Sequence, residues 1–241
     1  MRATGGVFVT GTDTGVGKTI VCGVILRGLL ARGIRAGAMK PFETGCPEVD
    51  GRAAPQDGLF LREMAEMGEP LEVVVPERFA PPVSPLVAAR LEGREIDVPK
   101  VIETFFQLRG AYDAVVVEGA GGLLVPVAMT AKGRGGAVYF IADLVRDLGL
   151  PLVVVARPGL GTINHTLLTI RQALADGIVV KGVVMNYAQK AVHDLAEETN
   201  MSVLGELSPV PILGTVPHVE RISKDALEGI AESCLDLDRV L

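Results

Sequence analysis

The ten residues GTDTGVGKTI, Gly11 to Ile20, decide how this chain is read. They lie between an apolar run, Val7 to Thr10, and a segment of helical character. They nearly obey the phosphate-loop rule of glycine, four residues, then Gly-Lys-Thr. The rule wants its first glycine where the chain has Thr12, and Gly11 comes one residue early. The offset leaves the cradle intact, because the groups that would touch phosphate fall between Thr14 and Thr19. Gly15 and Gly17 free the backbone to turn N–H groups inward at the start of a helix, where aligned peptide dipoles favour an anion. Lys18 would reach the β- and γ-phosphates, and the Thr19 hydroxyl would face Mg2+. The plainer reading is a strand-to-helix turn that merely contains Gly-Lys-Thr. The strand before it and the helix after it supply the context that the nucleotide motif demands.

A chain of 241 residues can bury one substantial core, and an α/β domain of that size need not be divided. With 49% hydrophobic residues and only 4% aromatics, the core must be built from Val, Leu, Ile and Ala, as in a parallel sheet covered on both faces. A net charge of −6 and the lack of a basic stripe argue against nucleic acid as a partner. The apolar runs, such as PLVVVA at 151–156, are far shorter than the roughly 18 residues of a membrane span. The first apolar stretch runs straight into the glycine loop, so no signal peptide is expected. Cys22, Cys46 and Cys234 are odd in number and lack C-x-x-C spacing, which reads as reduced thiols in a cytoplasmic protein.

Six strand-like runs, GVFVT, RAGAMK, DAVVVE, PLVVVA, IVVKGVVMN and VPILGTV, alternate with stretches that suit helices. That order predicts βαβ units with right-handed crossovers: one α/β domain over 1–241, a mostly parallel central sheet flanked by helices, P-loop NTPase-like. The first helix should begin near Gly17 and end at Gly33, placed as a C-terminal cap. Residues 42–56, 79–86 and 129–137 read as irregular, and loops this long are usually functional or mobile.

A nucleotide loop of this kind needs a carboxylate at the end of a second strand. Glu118 ends a fully apolar strand, and the glycines after it let backbone approach a ligand closely. Asp57, in PQDGLFLRE, reads equally well as a helix cap. Lys40 is a cation at the carboxyl end of the second strand, where ligands gather in open α/β sheets, so Lys18, Lys40, Thr44 and Glu118 should converge there. His165, His193 and His218 are too scattered for a metal triad and read as structural.

Taken in order, GTDTGVGKT at 11–19, KPFETG at 40–45, EGAGG at 118–122, GTINHTLLT at 161–169 and the Asn186 that ends GVVMN closely resemble dethiobiotin synthetase, over residues 5 to about 220. The combination is specific, though each motif alone is only suggestive. The resemblance implies closure of the ureido ring of dethiobiotin from 7,8-diaminopelargonate and CO2 or bicarbonate, with ATP as co-substrate and Mg2+ as cofactor. Carried over residue by residue, it implies nucleotide binding by Gly15, Val16, Gly17, Lys18, Thr19, Ile20, Gly119, Ala120 and Gly121, with Asn186, Tyr187 and Pro217 near the adenine. It implies Mg2+ ligation by Thr19, Asp57 and Glu118, catalytic roles for Lys40, Lys18 and Thr14, and substrate contact by Thr44. The residues alone read Gly161 and Thr162 most simply as the start and cap of a helix, or else as a helix N-terminus offering free N–H groups to a carboxylate; the resemblance implies that this segment, with Asn164, reaches the substrate across a two-fold homodimer.

Two rivals share the loop. ATP-dependent amide synthetases that act on cobalt-corrin precursors carry an extra glutamine-hydrolysing domain, for which 241 residues leave no room. Partitioning or membrane-positioning ATPases place a signature lysine five residues before the Gly-Lys-Thr lysine, and this chain has Asp13 there.

Overall fold

A computed structural model describes residues 5–49, 51–129, 138–192 and 194–240. Most of the irregular stretch at 129–137, and His193, therefore lie outside the described residues. The strands are β1 (Gly5–Gly11), β2 (Ala36–Met39), β3 (Phe42–Thr44), β4 (Glu48–Val49), β5 (Arg52–Ala53), β6 (Glu77–Phe79), β7 (Ala114–Glu118), β8 (Pro126–Met129), β9 (Val138–Phe140), β10 (Leu152–Ala156), β11 (Val180–Asn186) and β12 (Ile212–Val216). The helices are α1 (Lys18–Ala31), α2 (Gln56–Met64), α3 (Leu71–Val74), α4 (Pro85–Leu91), α5 (Val98–Ala111), α6 (Ile141–Leu148), α7 (Thr162–Ala175), α8 (Leu195–Leu207), α9 (Lys224–Cys234) and α10 (Leu237–Val240).

The six apolar runs of the sequence form one parallel sheet in the order β12-β11-β10-β1-β7-β2. Residues 114–118 and 152–156 are buried along their whole length, because helices cover both faces of these strands. On one side α1 packs with α9 and α10; on the other lie α5 with α6 and α7 with α8. The chain crosses from β1 to β2 in one direction and from β7 to β10 in the other. The carboxyl end of β1 is therefore the switch point where an open α/β sheet leaves a crevice.

Helix α1 starts at Lys18 after Gly17 and ends as predicted: the amides of Gly33 and Ile34 close back onto the Leu30 and Leu29 carbonyls. The last twenty or so residues, which carry no motif, have a packing role. A side chain at Gly23 or Gly28 would strike Leu227, or Ala231 and Leu237, so α9 and α10 bear directly on the helix that follows the phosphate loop. The stretch at 42–56 is more ordered than its composition suggests. Residues 42–44 pair in parallel with 77–79, and 48–49 with 52–53, because backbone in a compact domain must find partners.

Candidate active site

The loop at 11–17 is laced to the strands beneath it. The Gly11 amide donates to the Gly121 carbonyl at 3.2 Å and the Thr12 amide to Val155 at 2.9 Å, while the Gly119 amide donates to Val9 at 2.9 Å. The early glycine now has a reason. A Cβ at Gly11 would come within 2.6 Å of the Asp13 carbonyl and 3.0 Å of Lys18 Nζ, because the loop folds back over its own start. Gly17 is held as tightly. It is left-handed, at φ +86°, and a Cβ there would lie 2.0 Å from Asn186 Nδ2. Asn186, at the end of β11, donates from that same Nδ2 to the Val16 carbonyl at 2.8 Å and so pins the loop from the far half of the sheet.

Lys18 is buried, and its Nζ turns back to the Asp13 carbonyl at 3.2 Å. Burial lowers its pKa, and Lys40 adds to that effect against the opposing pull of Glu118. Thr19 Oγ1 donates to Glu118 Oε1 at 2.9 Å. Lys40 Nζ donates to the same oxygen at 2.7 Å and also to Asp57 Oδ2. For Lys40, burial pulls the pKa down, but Glu118 and then Asp57 outweigh it and hold the ammonium above its ordinary value. The second Glu118 oxygen, Oε2, is buried with no hydrogen-bond partner among the described residues.

Asp57 does not cap α2. The N-cap position belongs to Pro55, and Asp57 sits inside the first turn with its carboxylate turned toward Lys40. The caps come instead from Glu43, whose two oxygens accept from the amides of Asp57 at 3.0 Å and Gly58 at 2.9 Å. Burial raises the Glu43 pKa against the pull of Lys40 and these two N–H groups.

Thr14, Gly15, Gly17, Lys18, Thr19, Lys40, Thr44, Asp57, Glu118, Gly119, Ala120 and Gly121 line one cavity of about 560 Å3. Sequence reasoning missed the remaining lining: Phe42, Glu43, Val125 and Pro82 to Pro85. The length of the loop at 79–86 was the available signal for the last group, and Glu43 lay unassigned within KPFETG. Val16 is buried and Ile20 half-buried against the core, so neither side chain faces this space. Tyr187 and Pro217 follow the ends of β11 and β12, and like Asn186 they stand outside the cavity.

Gly161, Thr162 and Asn164 are also outside it. Of the N–H groups at the start of α7, that of Thr162 closes a turn onto the Gly159 carbonyl at 3.3 Å and so is not free for a ligand. The Thr162 side chain is buried, with its Oγ1 3.4 Å from that of Thr166. Asn164 is exposed.

These features have close relatives. Residues 5–226 match the family described as an AAA domain. The chain is 45% identical over 236 residues, 98% of each chain, to the ATP-dependent dethiobiotin synthetase BioD of Thermodesulfovibrio yellowstonii. The chain belongs to the dethiobiotin synthetase family. A second relative with the same description, from Anaeromyxobacter sp. (strain K), is 50% identical over 219 residues, covering 90% of this chain and 92% of its own. Among solved structures, a ParA family ATPase from Chlorobium tepidum (TM-score 0.53, 14% identity, 99% of this chain and 93% of that one) shares the fold alone. So does a MinC:MinD complex from Aquifex aeolicus (TM-score 0.52, 14% identity, 95% and 88%). No helix among the described residues is long and apolar enough to cross a membrane.

Proposed function

We propose that this chain is an ATP-dependent cyclo-ligase that closes the ureido ring of dethiobiotin from 7,8-diaminopelargonate and CO2, in biotin biosynthesis. The observation that carries the reading is the Lys40 ammonium held between Asp57 and Glu118 directly beside the Thr19 hydroxyl of the phosphate loop. One amine of the substrate adds to CO2 to give a carbamate, and a carbamate oxygen attacks the γ-phosphorus as ADP leaves. The second amine then attacks the carbamoyl carbon, forming the ring and expelling phosphate. The first product is an anion that must approach a triphosphate, so charge neutralisation and positioning dominate the barrier. Lys18 and Lys40 supply two cations at that meeting point, and the backbone N–H groups of 15–19 cradle the phosphates. Thr14 lies at the cavity wall beside them, and Thr44 holds the diamine.

The residues present fit Mg2+: an orphaned buried oxygen on Glu118, the Asp57 carboxylate and the Thr19 hydroxyl form an all-oxygen donor set. Among the described residues no group of three or more His, Cys, Asp or Glu side chains could enclose a metal. That suits an ion which keeps waters and completes its shell with substrate phosphates. When bound, Mg2+ supplies charge neutralisation at the β- and γ-phosphates. Asn186, Tyr187 and Pro217 form the adenine side.

The assay that tests this reading supplies diaminopelargonate, bicarbonate and MgATP, and expects one phosphate released per ring formed. Hydrolysis stimulated by DNA or lipid vesicles, with none by the diamine, would sink it.

The exposed Asn164 and Gly161 belong, in this reading, to a homodimer in which one protomer's α7 completes its partner's cavity. A Lys40→Gln protomer mixed with a protomer disrupted at Asn164 then gives heterodimers with one intact site. Random pairing should restore about a quarter of parental activity. Heterodimers that form without recovery would mean that each site is built within one chain.

A further inference from the structure

We infer that Glu43 is a positioning residue for the metal-binding carboxylate, acting through the first turn of α2; this rests on the reading of Asp57 and Glu118 as the Mg2+ ligands. Helix α2 has no side-chain cap of its own, since its N-cap residue is Pro55. The amide of buried Gly58 and that of half-buried Asp57 would otherwise lack protein partners, a state that native backbones avoid. Glu43, on β3, reaches across to take the two amides of Asp57 and Gly58 with its two oxygens. A negative charge is also what the positive end of a helix favours. The space at Gly58 is tight as well: a Cβ there would fall 2.0 Å from Val75 Cγ2 and 3.4 Å from Glu43 Oε2. The start of α2 is thus wedged between Val75 and the Glu43 carboxylate. Asp57 sits within that wedge, and its aim at Lys40 follows from where the two amides are held. Glu43 is itself buried and lines the cavity, so its placement is shared between the helix and the site.

The test measures Mn2+ binding to the folded protein with a non-hydrolysable ATP analogue, by electron paramagnetic resonance, for Glu43→Ala, Glu43→Gln, Asp57→Asn and the Glu43→Ala/Asp57→Asn double variant. Mn2+ shares the preference of Mg2+ for oxygen ligands. Outer groups that hold a metal ligand in place are worth about 10–100-fold in metal affinity, so Glu43→Ala should weaken Mn2+ binding by about tenfold or more. Glu43→Gln keeps one acceptor and should lose only a few-fold, which also covers the case of an Ala variant that does not fold. The double variant should bind little worse than Asp57→Asn alone, as expected of residues acting through one group. If Asp57→Asn weakens Mn2+ binding while both Glu43 variants bind like the parent, Glu43 is only a helix cap and the inference is wrong. If Asp57→Asn itself binds like the parent, the assignment of the metal site fails first, and the inference with it.

Discussion

Two lysines face the same cavity, and their corners of it are built on opposite principles. Lys18, in the phosphate loop, is buried against a backbone carbonyl and has no carboxylate within hydrogen-bonding reach among the described residues, and burial lowers its pKa. Lys40, in the carboxylate corner, is buried as deeply but bridges Glu118 and Asp57, which hold its pKa up. The loop corner leaves a buried cation paired only with a backbone carbonyl, which in the proposed function answers the phosphates of ATP. The carboxylate corner pairs its cation within the protein and still leaves Glu118 Oε2 without a hydrogen-bond partner among the described residues. One corner costs the folded state stability, and the other contributes to it.

The largest test of that contrast is Lys40→Ala. It leaves the buried Glu118 carboxylate without its cation, and removing one partner of a buried pair costs roughly 3–5 kcal/mol. Chemical denaturation should show a loss of that order, together with loss of turnover. The folded-state pKa of Lys40 lies above its unfolded value, so this contribution is fully present below 10.5 and fades only at higher pH. A stability equal to the parent's would mean that the lysine and the carboxylates are not a working pair.

Lys18→Ala should behave in the reverse manner. Its pKa is lowered in the folded state, so the charged form is penalised at neutral pH, and truncation should leave the midpoint of unfolding unchanged or slightly higher. Turnover should nevertheless fall by about a hundredfold or more, the scale seen when a charge-stabilising donor is removed. Denaturation and turnover measured on one preparation separate the two effects. A variant that is destabilised but active would invert the comparison.

The smallest expected effect is a proton. Triphosphate next to Lys18 must raise its lowered pKa, so nucleotide binding should take up a fraction of a proton per site as the pH approaches 10.5 from below. Titration calorimetry in buffers of different ionisation heat reads this uptake directly. It should vanish in Lys18→Ala, and uptake that persists there would place the linked group elsewhere.

Much of this architecture was legible in the residues. GVFVT, DAVVVE and PLVVVA are continuous apolar runs with no polar face to expose, so they could only be strands covered on both sides, and they became β1, β7 and β10. The phosphate loop, with Gly17 before the helix and Gly33 after it, was legible for the same reason: turn and cap chemistry act over a few neighbouring residues. The likeness of five motifs to one family then set the order of the site around them.

What the chain alone did not determine lies at longer range. The sheet order β12-β11-β10-β1-β7-β2 is a matter of which strands meet, and six runs of similar composition do not encode it locally. Asp57 read equally as a cap or a ligand because the difference depends on Lys40, 17 residues away, and on Glu118, 78 residues from Lys40. Glu43 carried no signal, since a carboxylate that caps a helix 14 residues onward resembles any solvated glutamate until the helix is placed beside it. The burial of Lys18 is likewise a product of packing that its neighbours in the chain do not display. Propensity, turns and capping are short-range energies that a sequence displays directly; burial and charge pairing are sums over neighbours, and only the folded chain decides who those neighbours are.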